Sequence, residues 1–66
     1  MTLSWRDAQA IAEELYDAEP ELDPVTLRLS ELRERVLALP DFADDPQKSS
    51  EPVLEAILQA WLNERD

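Results

Sequence analysis

"SWRDAQAIAEELYDAEP", residues 4–20, decides the fold. At 100° per residue, Trp5, Ala8, Ile11, Ala12, Leu15 and Tyr16 fall on one side of a helix, which is the pattern of an apolar stripe facing a core. Asp7, Glu13, Glu14 and Asp17 fall on the opposite side within about a third of a turn. Ser4 is a good N-cap, with Asp7 three residues on as in a capping box. The residue before a proline disfavours the α region, so Pro20 ends the helix near Ala18 or Glu19.

Two further segments repeat this logic. Ser30 caps a helix expected over Glu31 to Leu39, which buries Leu32, Val36 and Leu39 and stops at Pro40; Glu31 and Arg35 form an i,i+4 pair on its outer face. Ser49 or Ser50 caps a third helix. Pro52 lies in its first turn, where a missing N–H costs nothing, and Glu51 suits the positive end of the helix dipole. Val53, Leu54, Ile57, Leu58, Trp61 and Leu62 make its broad apolar face. Between the first two helices "PVTLRLS" alternates, with Val25, Leu27 and Leu29 on one side, the period of a short strand or extended arm. The chain has no glycine and five prolines, so its stops come from proline and polar turns. The expected fold is mostly α: a single domain over residues 1–66, three helices and one short extended arm or strand, of winged-helix-like outline.

Composition narrows the chemistry. With 66 residues, 44% hydrophobic and no cysteine, the core must come from well-packed helices. The absence of both cysteine and histidine excludes thiolate and imidazole metal ligation, and Ser-His or Cys-His catalysis, by these residues. No run of about 18 apolar residues is present, so no membrane span is expected. The first residues lack the pattern of a secretory signal, and the expected location is cytoplasmic.

Sixteen acids against six bases give a net charge of −10. Such a surface repels phosphates and anionic lipid and attracts basic proteins and cations. A helix-turn-helix-like outline invites a DNA-binding reading. Arg33 and Arg35 cannot supply the several phosphate contacts that this affinity requires, so no nucleic acid partner is expected. Paired carboxylates also raise glycosidase-like chemistry, but a domain this small leaves little room for a cleft of about 300 Å³.

Asp41, Asp44, Asp45 and Glu51 could form an oxygen-ligand site for a hard cation, without the acid spacing and central glycine of an EF-hand. The plainer alternative is a solvated loop whose aspartates serve turns and helix starts, and spacing alone favours it. The first-helix acids carry unmixed charge, with Arg6 the only base nearby. They are either a solvated outer face or a steering surface for a basic partner.

The residues carry more than spacing. "LSWRDAQAIAEELYDAEPELDP", "TLRLSEL" and "LPDFADDPQKSSEPVLEAILQAWLNE" resemble the IscX family of the bacterial iron–sulfur cluster assembly system over essentially the whole chain. The most specific pieces are Trp5 with Asp7, Leu15-Tyr16-Asp17, Leu22-Asp23-Pro24, Asp41-Phe42, Asp44-Asp45-Pro46 and Trp61-Leu62 with Glu64. The resemblance implies a winged-helix-like, non-enzymatic regulator or adaptor. Such a protein binds cysteine desulfurase through an acidic surface, binds iron weakly, competes with bacterial frataxin and also partners ferredoxin. Carried over, the partner-binding residues are Asp7, Glu13, Asp17, Asp41, Asp44 and Asp45, and the iron ligands are Asp41, Asp44, Asp45, Glu51 and Glu55. Arg33, Arg35 and Leu37 stand where the family often has histidine, tryptophan and cysteine. The rival reading is an acidic DNA mimic that blocks some other basic protein.

Overall fold

The computed structural model describes residues 2–65. Three helices, α1 (Ala8–Ala18), α2 (Leu29–Leu37) and α3 (Glu51–Arg65), are joined by segments that each contain one 3₁₀ turn, at Pro24–Thr26 and Pro46–Lys48. The principal helix pairing is α1 on α3; α2 packs across α3, and the first 3₁₀ turn also rests on α3. The core is Leu3, Trp5, Ile11, Ala12, Leu15, Leu32, Val36, Leu39, Leu54, Ile57 and Trp61, with Pro24 fully buried beside it. The apolar stripes of all three helices therefore converge, as helix periodicity requires.

The starts of the first two helices differ from the sequence reading, for local reasons. Residues 4–7 form a turn ahead of α1, in which the Asp7 N–H donates to the Ser4 carbonyl at 2.9 Å. The Asp7 carboxylate accepts the Ser4 backbone N–H at 2.9 Å. Asp7, not Ser4, is thus the N-cap position. Only the reach-back half of the expected capping box forms, with an aspartate supplying it. Asp7 accordingly leaves the helical stripe, whose acids reduce to Glu13, Glu14 and Asp17.

The expected arm does not form a strand, and its extended backbone is confined to Leu27 and Arg28. Asp23 accepts the Val25 N–H at 3.1 Å, and this, with Pro24 at the first position, winds residues 24–26 into a 3₁₀ turn. Val25, placed by the alternation on one side with Leu27 and Leu29, is 65% exposed, whereas those two are half-buried. Among the described residues no wing of paired strands forms: their recorded β-type pairing is an isolated parallel bridge between Leu3 and Phe42. α2 begins two residues earlier than expected and takes Ser30 inside it. The Glu31 carboxylate accepts the Arg28 N–H at 3.1 Å, because unsatisfied donors at a helix start attract an acid three residues on. Arg35 therefore has no Glu31 partner on the surface and instead pairs with Glu19 at the end of α1. The helix closes at Leu37, ahead of Pro40, and the Ala38 and Leu39 N–H groups donate to the Glu34 and Val36 carbonyls.

α3 matches its reading closely. The Ser50 carbonyl accepts the Leu54 N–H at 2.9 Å, so Ser50 stands at the helix start with Pro52 in the first turn. Trp61 is fully buried, and its indole Nε1 has no hydrogen-bond partner among the described residues. Ion pairing ties the end of α3 to the first turn, with Arg65 3.1 Å from Asp23, and Gln9 hydrogen-bonds Glu64 across α1 and α3.

Candidate functional site: the acidic loop and the first helix

The acidic segment 41–46 is built against the N-terminal residues. The Leu3 N–H donates to the Asp41 carbonyl at 2.7 Å, and the Ala43 N–H donates to the Leu3 carbonyl at 2.9 Å. Two residues later the Asp44 carboxylate accepts the Trp5 N–H at 3.1 Å and, on its other oxygen, the Asp45 N–H at 2.7 Å. The Trp5 indole N–H donates to the Asp45 carbonyl at 2.7 Å. The Trp5 ring meets Phe42 edge-on with centroids 4.6 Å apart, a favoured aromatic geometry. The Asp45 side chain accepts the Gln47 N–H at 2.9 Å and starts the second 3₁₀ turn. On the far side, Arg33 from α2 donates to the Ser49 hydroxyl at 2.9 Å and to the Pro46 carbonyl at 3.2 Å.

These bonds sort the carboxylates. Asp7, Asp23, Glu31, Asp44 and Asp45 each satisfy a backbone N–H, and so hold turns that would otherwise leave donors unpaired. The N–H groups of Trp5 and Asp45 lower the Asp44 pKa from its ordinary 3.8; partial burial opposes them, and the charges of Lys48 and Arg6 add to them. A carboxylate that accepts backbone donors is favoured in its charged form, which is the sign observed. Glu19 and Asp23 face arginines, and Glu64 faces Gln9. Glu13, Asp17, Asp41, Glu51 and Glu55 are exposed, and their carboxylates accept no hydrogen bond and form no ion pair among the described residues. Glu13 and Asp17 stand one turn apart on α1, and Glu51 and Glu55 one turn apart on α3.

The residues expected to hold a metal are thus only partly gathered. Asp44 and Asp45 are adjacent and hydrogen-bonded, while Glu51 and Glu55 project from a helix that begins six residues after Asp45. Among the described residues no group of three or more acidic side chains converges in a way that could hold a metal ion. No described helix is long and apolar enough to cross a membrane. A groove of about 510 Å³ lies between the N-terminal turn, the acidic loop and the start of α3, lined by Ser4, Trp5, Arg6, Asp44, Lys48 and Val53. Chain length had argued against any cleft of that size. The groove forms because residues 4–7 turn away from α1 instead of continuing its axis.

The family model described as iron-sulphur cluster assembly matches residues 3–66, nearly the whole chain. The chain belongs to the IscX family. An uncharacterized protein of Pseudomonas aeruginosa is 50% identical over 66 residues, the full length of both chains. Four of the aromatic and acidic residues that carried the resemblance, Trp5, Phe42, Asp44 and Asp45, join the N-terminal segment to the loop. Sequence reasoning missed Leu3 and Arg33 as members of this assembly. Leu3 stands ahead of the helical pattern and Arg33 on an outward helix position, so neither showed in periodicity. Only the polar end of the loop at Ser49, offering an acceptor, hinted at a tether.

Proposed function

We propose that this IscX-family chain is a non-enzymatic adaptor of iron–sulfur cluster assembly that docks on a basic surface of the cysteine desulfurase. One observation carries the reading: Glu13 and Asp17 on α1, with Asp41, Glu51 and Glu55, are exposed carboxylates with no internal use, on a body of charge −10. Unmixed charge raises the rate and selectivity of encounter with a surface of opposite sign and adds little to fold stability. Asp7, Asp44 and Asp45 contribute charge to the same field while their oxygens hold the frame in place. Competition with frataxin follows wherever both acidic proteins use one basic surface, and ferredoxin is a further partner in this reading.

Iron enters as a ligand of this surface, not as a resident cofactor. With no converging group of three acids among the described residues, iron is held by one or two carboxylates from the set Asp41, Asp44, Asp45, Glu51 and Glu55, with water completing its shell. Bound iron then reduces the charge that drives docking. Titration of the chain into purified desulfurase at low and at 0.5 M salt (roughly a sevenfold-shorter screening range than at about 10 mM ionic strength) tests the reading. Binding that weakens steeply with salt supports it. Binding unchanged by salt, or none at low salt, overturns it.

A further inference from the structure

The groove described above gathers two bases and one acid on an otherwise strongly acidic chain. Of the six basic residues, Arg33, Arg35 and Arg65 spend their donors on Ser49 and Pro46, on Glu19 and on Asp23. Arg6, Arg28 and Lys48 spend no side-chain donor on another described residue, and Arg6 and Lys48 both line the groove. They act on Asp44 only through their charge; its two oxygens are taken by the Trp5 and Asp45 N–H groups. The remaining lining is mainly apolar: Trp5, only 5% exposed, and the half-buried Val53. Ser4 is already engaged, its hydroxyl 3.3 Å from the Asp7 carboxylate.

We propose that this groove is a second docking surface, which takes a short extended peptide segment of a partner protein bearing an apolar side chain flanked by carboxylates. The apolar side chain lies mainly against Val53, beside the small exposed part of Trp5, and the flanking acids meet Arg6 and Lys48. Asp44, the one acid in the lining, repels a carboxylate placed centrally, so the acids sit at the two rims and the apolar group between them. A peptide suits the groove better than a free metabolite: small-ligand pockets enclose most of their ligand, whereas this depression is only half enclosed. Because its charge is opposite to that of the α1 carboxylates, the groove and the acidic surface select partners of opposite sign and can be occupied together. The inference does not rest on desulfurase docking and stands or falls without it.

The test uses the whole chain, labelled with ¹⁵N, and two acetylated, amidated probe peptides, Asp-Leu-Glu-Leu-Asp and its basic counterpart Lys-Leu-Lys-Leu-Lys. The acidic probe shifts the Trp5 indole resonance and the amides of Arg6, Lys48 and Val53; the basic probe shifts α1 instead. Arg6→Glu with Lys48→Glu weakens the acidic probe about tenfold, the scale of two surface charge pairs reversed. Val53→Glu abolishes its binding with both cations retained, and circular dichroism checks each fold. Absence of groove shifts at millimolar acidic probe overturns the proposal. Equal groove shifts from both probes, or undiminished binding to the double reversal, overturn it as well.

Discussion

Replacing Trp5 by phenylalanine tests whether the N-terminal segment is docked on the acidic loop. Phenylalanine keeps an aromatic edge for Phe42 but loses the indole N–H that donates to the Asp45 carbonyl at 2.7 Å. A hydrogen bond of this kind contributes about 0.5–1.5 kcal/mol net. Trp5 is only 5% exposed, so the smaller ring also leaves a gap in the core, which adds about 1 kcal/mol. The expected loss is about 1.5–2.5 kcal/mol. That is a large share of the roughly 3–10 kcal/mol available to a chain of 66 residues at about 0.05–0.15 kcal/mol per residue. With a slope of about 4–8 °C per kcal/mol for domains of this size, Tm falls by about 6–20 °C. Thermal melts followed by far-UV circular dichroism read this directly, and surface charge is unchanged, so desulfurase affinity of the folded variant is retained. A fall of less than about 2 °C would refute the reasoning, since it would mean that the segment adds nothing to the folded state.

Other consequences follow from the same contacts. Asp44 has a lowered folded pKa, so the stability it contributes is complete above its unfolded value near 3.8 and is lost as pH falls through the folded value. Asp44→Asn therefore flattens the acid limb of a Tm-against-pH curve below pH 4; an unchanged limb would assign acid sensitivity to other groups. Trp61→Phe removes a buried N–H with no partner, a relief of about 1–3 kcal/mol set against the lost ring volume. Urea unfolding should then show a smaller loss than for Trp5→Phe, although Trp61 is the more deeply buried. Arg33→Ala frees the loop at Ser49 and Pro46, and amide hydrogen exchange of residues 47–50 should rise while that of α1 stays constant.

The helices were legible because periodicity reports which face is buried: Ile11, Leu32, Ile57 and Trp61 fell where their stripes put them. Their starts were less legible. Ser4 and Ser30 have cap chemistry, but capping depends on which acid reaches back, and Asp7 and Glu31 won those competitions. "PVTLRLS" alternates as a strand would, yet a lone arm has no sheet to join, and Asp23 with Pro24 fixes a 3₁₀ turn instead. The acidic loop was visible as charge and, through the family resemblance, as a motif. Its division of labour was not, because hydrogen bonds between residues 5 and 44 are long-range facts that spacing does not encode. For the same reason the groove at Arg6 and Lys48 left no trace in the sequence pattern.

The central claim is that free carboxylates recognise the partner while bonded ones hold the fold. Desulfurase affinity, measured by titration for Glu13→Gln with Asp17→Asn and for Asp44→Asn with Asp45→Asn, tests it most directly when each variant's Tm is recorded alongside. The α1 pair should lose affinity with Tm unchanged, and the loop pair should lose Tm by the larger amount. Full affinity in the α1 pair, or a Tm unmoved in the loop pair, would contradict it.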